Sequence, residues 1–353
     1  MGEPGYGGGA PEFIGSKTVR VCRTVHGPVE ERQGTTAYAR RYAIWGHEID
    51  TLTGLAALDD AGSVTAAKAA AAKLTWNENL LVADDAGHIG WWHPGNLPLR
   101  AKRWDERLPL PGTGSAEWRG LLPFAKHPQA IDPAQGYLMN WNNLPSAGWT
   151  NGDAVAPETN VGDLNRATFL NGLVRTAAAS PSLDALRGVE RVAGVTAQQR
   201  PLLDTRLRAA DGAATGSAKA VLDTIVAWDG NYDRTDSRGT VDPGVAAFEA
   251  LKEAASNTLP AAARTWLGKR GSSHLFDIGA AEAAGIHGVS QAGLIAAAGN
   301  AASALQAQFG SADPSAWREP RKMYDVQVQG VADKPQLKFY DRGTWAQAVE
   351  LGP

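Results

Sequence analysis

The first part of the chain alternates apolar and polar residues over short stretches, a period of two that indicates half-buried strands. One stretch, Thr18 to Val25, ends at the turn-forming residues His26-Gly27-Pro28. A second, Thr36 to Ala43, has the same alternation and is expected to be its pairing strand. The pattern therefore predicts a small antiparallel sheet near the start of the chain.

The same zone predicts one hairpin and one helix before its regular pattern ends. Residues 79–84 and 88–93 flank Asp85-Ala86-Gly87, a short glycine-containing turn that predicts a β-hairpin. The alanine-rich stretch from Ser63 to Ala72 predicts a helix with Ser63 at its N-cap. From Pro94 to Thr150 the chain is rich in Pro, Gly, Asn and Trp and shows little periodicity, which is typical of a functional loop region.

The middle of the chain changes to helical spacing, and alanine, the best helix former, is abundant there. The predicted helices are Asp163–Thr176, Asp204–Ala209, Gly216–Asp229, Pro243–Ser256 and Gln291–Phe309. Near the C-terminus, Met323 to Gln329 alternates and predicts a strand. The fold class expected is α+β: a flexible leader at 1–16 precedes one domain at 17–353, with a sheet and loop part at 17–150, a helical part at 161–310 and a C-terminal part at 313–353.

Charge and composition exclude several classes of protein. Lys and Arg number 34 against 37 Asp and Glu, a net charge of −3, so the basic surface typical of a nucleic-acid binder is not expected. No apolar run approaches the roughly 18 residues that a membrane span needs. The leader resembles no signal peptide, so the sequence assigns no location. A single cysteine, Cys22, allows no disulfide within the chain.

Familiar catalytic patterns are also missing from the sequence. The seven histidines have no helical zinc-binding spacing, no Ser-His-Asp triad is visible, and no glycine-rich phosphate loop joins a strand to a helix. Ser16 follows Gly15 and precedes a predicted strand, which invites comparison with an N-terminal nucleophile. A turn residue is the favoured interpretation of Ser16.

The most specific stretch runs from Gly136 to Pro145 and contains Asn140, Asn142 and Asn143 around Trp141. Carboxamide groups are neutral hydrogen-bond donors that can stabilise a developing oxyanion. Asparagine also accepts left-handed turn geometry, so an asparagine-lined turn is the alternative interpretation. The residues alone leave both open.

With these residues in view, the chain resembles the penicillin acylase family of N-terminal nucleophile amidohydrolases, in particular the aculeacin-acylase-like branch of actinobacteria. The resemblance covers nearly the whole chain after the leader. The matching sequence motifs are Arg23–Pro28, Asn79–His93, Leu108–Gly114, Trp118–Phe124, Gly136–Asn143, Asp229-Gly230 and Phe339–Leu351.

The resemblance implies a fold, a chemistry and a set of residue roles. It implies a four-layered αββα sandwich and self-cleavage that exposes an N-terminal serine, whose α-amine is the base. Substrates of the family are small-molecule amides: penicillins, acyl-homoserine lactones or lipopeptide side chains. Asn142 matches the side chain of the oxyanion hole and Arg166 the arginine that orients the site, while Trp141 and Asn143 would line the substrate pocket.

The chemistry that the resemblance implies needs no cofactor, although family members hold a structural calcium. Its matching residues here are Asp153 and Glu106, a remnant of that site. Family members are periplasmic or secreted. Neither nucleic acid nor membrane is expected as a partner.

The position of the matching motifs in this chain raises a further expectation. In the family the Arg-Thr-Val-His-Gly-Pro strand lies well after the catalytic serine, whereas here it begins at Arg23. The chain therefore resembles the C-terminal part of an acylase β chain without its nucleophile, and self-association through the truncation edge, or binding of a missing acylase segment, is expected. Three hypotheses follow: an acylase-type amidase or a piece of one, a non-catalytic binding module, and a hydrolase with an internal nucleophile.

Overall fold

The computed structural model describes residues 22–104, 108–141, 143–146, 149, 166–257, 289–321, 323–325, 336–338 and 348–351. The leader and residues 17–21 of the first predicted strand lie outside these ranges. Among the described helices, none combines the length and the apolar character needed to cross a membrane.

The first sheet has three antiparallel strands in the order β1 (Arg23–Thr24), β2 (Gly27–Gln33) and β3 (Thr36–Ala39). The predicted turn after the first strand is present, but it lies at Val25-His26, one residue earlier than expected, because Gly27 and Pro28 already belong to β2. The expectation that the stretch at 36–43 pairs with the first strand was wrong, because β3 pairs with β2. The sequence pattern missed β2 because its second half is polar and exposed, so it shows no alternation.

Gly27 is required by this sheet. Its φ of +131° lies outside the range that side-chain-bearing residues favour. A Cβ atom there would lie 2.0 Å from the backbone oxygen of Arg40. The close approach of the chain at Gly27 to the chain at Arg40 therefore explains the glycine in the His26-Gly27-Pro28 motif.

The second sheet confirms the predicted hairpin and adds one strand. Its antiparallel order is β4 (Leu80–Ala83), β5 (Ile89–Trp92) and β6 (Gln129–Ile131). Helix α2 (Val64–Ala71) has the predicted N-cap, because Ser63 Oγ accepts from the Ala66 N–H at 3.1 Å. The helix packs Val64, Ala67 and Ala71 against the buried Trp92.

Helix α1 (Glu48–Asp59) was not predicted. Three of its four large apolar side chains face solvent, with Ile49 70%, Leu52 59% and Leu55 47% exposed, whereas Leu58 packs against the cluster around Trp92. Its buried positions are instead Thr51 and Gly54. Hydrophobic periodicity therefore points to the wrong face of this helix, and the expected self-association stays a prediction.

The helical part contains the main core. Its described helices are α3 (Arg166–Ala178), α4 (Leu183–Val195), α5 (Gln199–Leu202), α6 (Asp204–Ala213), α7 (Gly216–Ala227), α8 (Pro243–Ser256) and α9 (Gln291–Phe309). Helices α6 to α9 bury one continuous apolar cluster that includes Leu222, Phe248 and Leu294. Helices α4 and α5 were not predicted; Gly188 and Gly194 weaken the helical signal of α4.

The C-terminal part contributes a two-stranded antiparallel ribbon. It consists of β7 (Met323–Asp325) and β8 (Gln336–Lys338). Strand β7 covers the first three residues of the strand predicted at 323–329, and residues 326–329 lie outside the described part.

Candidate active site

The asparagine-rich segment is described on both sides of Asn142, which itself lies outside the described residues. The backbone N–H of Trp141 donates to Asn143 Oδ1 at 3.0 Å, and Asn143 Nδ2 donates to the Leu144 carbonyl at 3.1 Å. Both side chains are half-buried. The Asn143 carboxamide therefore shapes the local backbone, and the pocket roles of Trp141 and Asn143 stay predictions.

Asn79, for which no role was predicted, joins this segment to the second sheet. Its Nδ2 donates to Asn140 Oδ1 and to the Asn143 carbonyl, each at 3.0 Å. Its Oδ1 lies 3.2 Å from Trp91 Nε1 and 3.2 Å from His93 Nδ1. One carboxamide thus links β5 and its end to both flanks of Asn142.

These contacts fix the orientation of the Asn79 amide and the tautomer of His93. The indole N–H of Trp91 can donate but not accept, so the Asn79 atom that faces it must be the oxygen. Since that oxygen can only accept, His93 Nδ1 must carry a proton to bond it. The network therefore has a single consistent assignment of donors and acceptors.

His93 is itself held in place from other directions. Its side chain is buried, and its ring meets Trp149 edge to face with centroids 5.7 Å apart. Its carbonyl oxygen lies 3.1 Å from Nδ1 of the buried His127, whose Nε2 lies 2.9 Å from the Leu122 carbonyl. His93 therefore connects the second sheet, the asparagine-rich segment and the Trp118–Phe124 motif.

In the described part of the chain, α3 begins at Arg166. The side chain of Arg166 is outside the described part, so its orienting role stays a prediction. Helix α3 also contacts the asparagine-rich segment, because Tyr137 Oη donates to Asn171 Oδ1 at 3.0 Å.

The two predicted calcium ligands, Asp153 and Glu106, lie outside the described residues. Within the described ranges, no group of three or more His, Cys, Asp or Glu side chains could hold a metal ion. Calcium takes six to eight oxygen ligands. The calcium site therefore stays a prediction.

Glu117, which was also not predicted to matter, lies directly before the Trp118–Phe124 motif and contacts the Arg23–Pro28 motif. It accepts from His26 Nε2 at 2.5 Å and from Arg41 Nη1. These hydrogen bonds, with that of His26 first, lower the pKa of the Glu117 carboxyl. The guanidinium of Arg41 also lies over the Trp118 ring, 4.4 Å from its centroid. Glu117 thus holds the first sheet against the Trp118–Phe124 motif.

A second charged pair closes the tip of the hairpin. His88 Nδ1 lies 2.8 Å from Asp132 Oδ2, and Asp132 Oδ1 accepts from the Ile89 N–H at 2.9 Å. The hydrogen bond to Asp132 raises the pKa of His88. The pKa of Asp132 is lowered, first by the Ile89 N–H and then by His88. This pair is exposed and fastens β6 to the start of β5.

Comparison with a solved structure shows the fold of the chain. The chain matches the thermostable penicillin G acylase from Alcaligenes faecalis with a TM-score of 0.74 at 24% identity, over 92% of this chain and 65% of that chain. The fold is therefore that of the N-terminal nucleophile hydrolases, as the resemblance implied.

Comparison of sequences then defines the family. The penicillin amidase family model matches residues 6–348, so this chain belongs to the penicillin amidase family. Penicillin G acylase of Escherichia coli is 34% identical over 239 residues, 65% of this chain and 28% of that protein. The penicillin acylase 2 proenzyme of Pseudomonas sp. (strain SE83) is 28% identical over 222 residues, 60% of this chain and 27% of that protein. The matches thus span under a third of the length of these two relatives.

Proposed function

We propose that this chain provides the oxyanion-stabilising side of an amidohydrolase that cleaves the acyl side chain of a small-molecule amide. The substrates are those of the resemblance: a β-lactam, an acyl-homoserine lactone or a lipopeptide. Asn142 is the oxyanion donor and Arg166 the residue that orients the site. The nucleophile, by the same resemblance, is an N-terminal serine that precedes the part of the family matched here.

The proposed chemistry asks one task of Asn142. When the serine oxygen attacks the amide carbon, the carbonyl oxygen gains negative charge, and the Asn142 Nδ2–H donates to it. The C–N bond then breaks, the amine leaves with the proton that the serine gave up, and water releases the acid from the acyl ester. A carboxamide suits this task because it is neutral and already oriented before charge develops.

The observation that carries the proposal is the set of hydrogen bonds around Asn142. Asn140 and Asn143 on its two sides are bonded to Asn79, and Asn143 Oδ1 accepts from the Trp141 N–H. An oxyanion donor works through preorganisation, which requires a backbone held in one geometry. A solvated asparagine turn needs no such attachment to a neighbouring sheet.

The experiment is hydrolysis of a chromogenic phenylacetyl anilide and of a long-chain acyl anilide. The purified chain is assayed alone and mixed with the serine-bearing part of a family member. Asn142→Ala should lower kcat by about 10²–10³. KM should change little, because the hydrogen bond forms mainly in the transition state. The exposed Asn300 of α9 offers a matched control, and Asn300→Ala should leave the rate unchanged.

Each other outcome contradicts the proposal in a specific way. If Asn142→Ala keeps the parent rate, the assignment of the oxyanion donor is wrong. If Ser16→Ala abolishes the rate, the chain uses an internal nucleophile. If the parent hydrolyses neither anilide under either condition but binds them, the chain is a binding module.

A further inference from the structure

The inference concerns a residue to which the resemblance gives no role. We infer that Asn79 is a positioning residue for Asn142: its two side-chain N–H bonds hold the residues on either side of Asn142 against the end of β5. The inference rests on the proposed function, because this attachment affects catalysis only if Asn142 donates to the oxyanion.

The donor side of Asn79 brackets Asn142 closely. One N–H bonds the Asn140 side chain and the other bonds the Asn143 backbone carbonyl, each at 3.0 Å. The two attachment points are three residues apart in the chain, one on each side of Asn142. The misplacement of a catalytic group by 1 Å can cost on the order of 10²-fold in rate.

The acceptor side of Asn79 is fixed to a rigid support. Trp91 and His93 both bond Oδ1, and Trp91 lies in β5, the central strand of the second sheet. The His93 carbonyl is in turn bonded to the buried His127. Both N–H groups of the carboxamide and both lone pairs of its oxygen are therefore used, so an amide flip would break contacts on both sides.

The substitution Asn79→Asp separates the two sides. A carboxylate has the same shape and still accepts from Trp91 and His93, but it cannot donate to Asn140 or Asn143. Hydrogen exchange of the Trp141 amide, which bonds Asn143 Oδ1, should become about tenfold faster, since each lost hydrogen bond is modest in net free energy. The backbone amides of β5 should keep their protection, because the sheet side of the network stays intact.

Asn96 provides the matched control. Its Nδ2 donates to the Ala43 carbonyl at 3.0 Å, so Asn96→Asp makes the same chemical change to a half-buried carboxamide elsewhere. Asn96→Asp should leave both the Trp141 exchange rate and the rate of amide hydrolysis unchanged. Asn79→Asp should lower kcat about tenfold or more with KM unchanged, since it misaligns a transition-state donor.

The two readouts distinguish the failure of this inference from that of the proposed function. Unchanged Trp141 exchange in Asn79→Asp overturns the inference, whatever the activity does. Faster exchange in a chain whose parent hydrolyses no amide overturns the proposed function and supports the attachment by Asn79. Faster exchange with an unchanged kcat overturns the positioning role.

A measurement on the unsubstituted protein decides the case if Asn79→Asp fails to fold. The ¹⁵N chemical shifts of His93 report which ring nitrogen carries a proton. Protonated Nδ1 together with slowly exchanging Asn79 amide protons supports the network. A His93 ring with a bare Nδ1 cannot donate to Asn79 and overturns it.

Discussion

The helical and sheet-containing regions of this chain are held together by different forces. In helices α6 to α9 a continuous cluster of buried apolar side chains forms the core, with Leu222, Phe248 and Leu294 among the most deeply buried. In the sheet region the buried cluster is small, consisting of Val64, Ala67, Ala71 and Trp92. There the segments are joined instead by side-chain hydrogen bonds, as at Asn79 and Thr51.

The difference teaches why the candidate site lies where it does. Apolar packing is non-directional and tolerates small shifts, whereas hydrogen bonds fix atoms in distance and angle. A donor for an oxyanion needs the second kind of support. The sheet region, although poorer in apolar burial, is therefore suited to the role proposed for Asn142.

The largest effect is expected from breaking the helical core. Phe248 is fully buried and packs against Trp228 with ring centroids 5.8 Å apart. Phe248→Ala should lower the free energy of unfolding by about 3–5 kcal/mol, because it leaves a cavity. Urea unfolding followed by far-ultraviolet circular dichroism measures the loss.

The matched control for this core substitution lies on α4, where Leu186 is 47% exposed. Leu186→Ala should change the free energy of unfolding by less than about 0.5 kcal/mol. Equal losses in the two variants would show that burial does not dominate in the helical region.

An intermediate effect is expected at Thr51, where hydrogen bonds replace apolar contacts. Its Oγ1 accepts from the backbone N–H groups of Thr75 and Trp76 at 3.1 and 3.0 Å. Thr75 Oγ1 donates to the His47 carbonyl, so the Thr51 hydroxyl must donate to Thr75 Oγ1. Thr51→Val should cost about 1–3 kcal/mol, because it leaves buried donors unsatisfied.

Hydrogen exchange of the Trp76 amide measures the Thr51 effect locally. Thr51→Ser keeps the hydroxyl and should retain most of the protection. If the serine and valine variants exchange equally fast, hydrogen bonding at Thr51 does not hold α1 to the segment after α2.

Elements with a regular pattern could be predicted from sequence, and elements held by particular contacts could not. Helices α7, α8 and α9 and the hairpin β4–β5 match their predictions because one face of each is apolar. Helix α1 was missed because its buried positions are Thr51 and Gly54, and β6 because three residues carry no periodicity.

The candidate site shows the same limit. The asparagine-rich segment stood out by composition, but Asn79 did not. Its partners Asn140 and Asn143 lie 61 and 64 residues away in the chain, a separation that no local pattern records. Asn79 is the first residue of the matching motif Asn79–His93, and this position is the one sequence signal that could have indicated a role for it.

The smallest effect is expected at the tip of the hairpin, where the pairing of His88 with Asp132 is exposed to solvent and salt. The raised pKa of His88 means that its contribution to stability is complete below its unfolded pKa of about 6.5. The contribution is lost as the pH rises through the folded pKa. The lowered pKa of Asp132 means that its contribution is present above its unfolded value of about 3.9 and is lost as the pH falls through the folded pKa. Both contributions are therefore complete between about pH 4 and pH 6.5.

Asp132→Asn tests the hairpin pair without disturbing its backbone. Asp132 has a φ of +45°, a conformation that asparagine also adopts readily, and an asparagine oxygen can still accept from the Ile89 N–H. The variant should therefore lower the pKa of His88 in an NMR titration, and added salt should shrink the difference because the pair is exposed. Asp85→Asn, a neutralisation in the adjacent turn, should shift the His88 pKa less. If Asp132→Asn leaves the His88 titration unchanged, the hydrogen bond between the two side chains is not formed in solution, and the hairpin tip is held by backbone contacts such as that from Asp84 N–H to the His88 carbonyl at 3.0 Å.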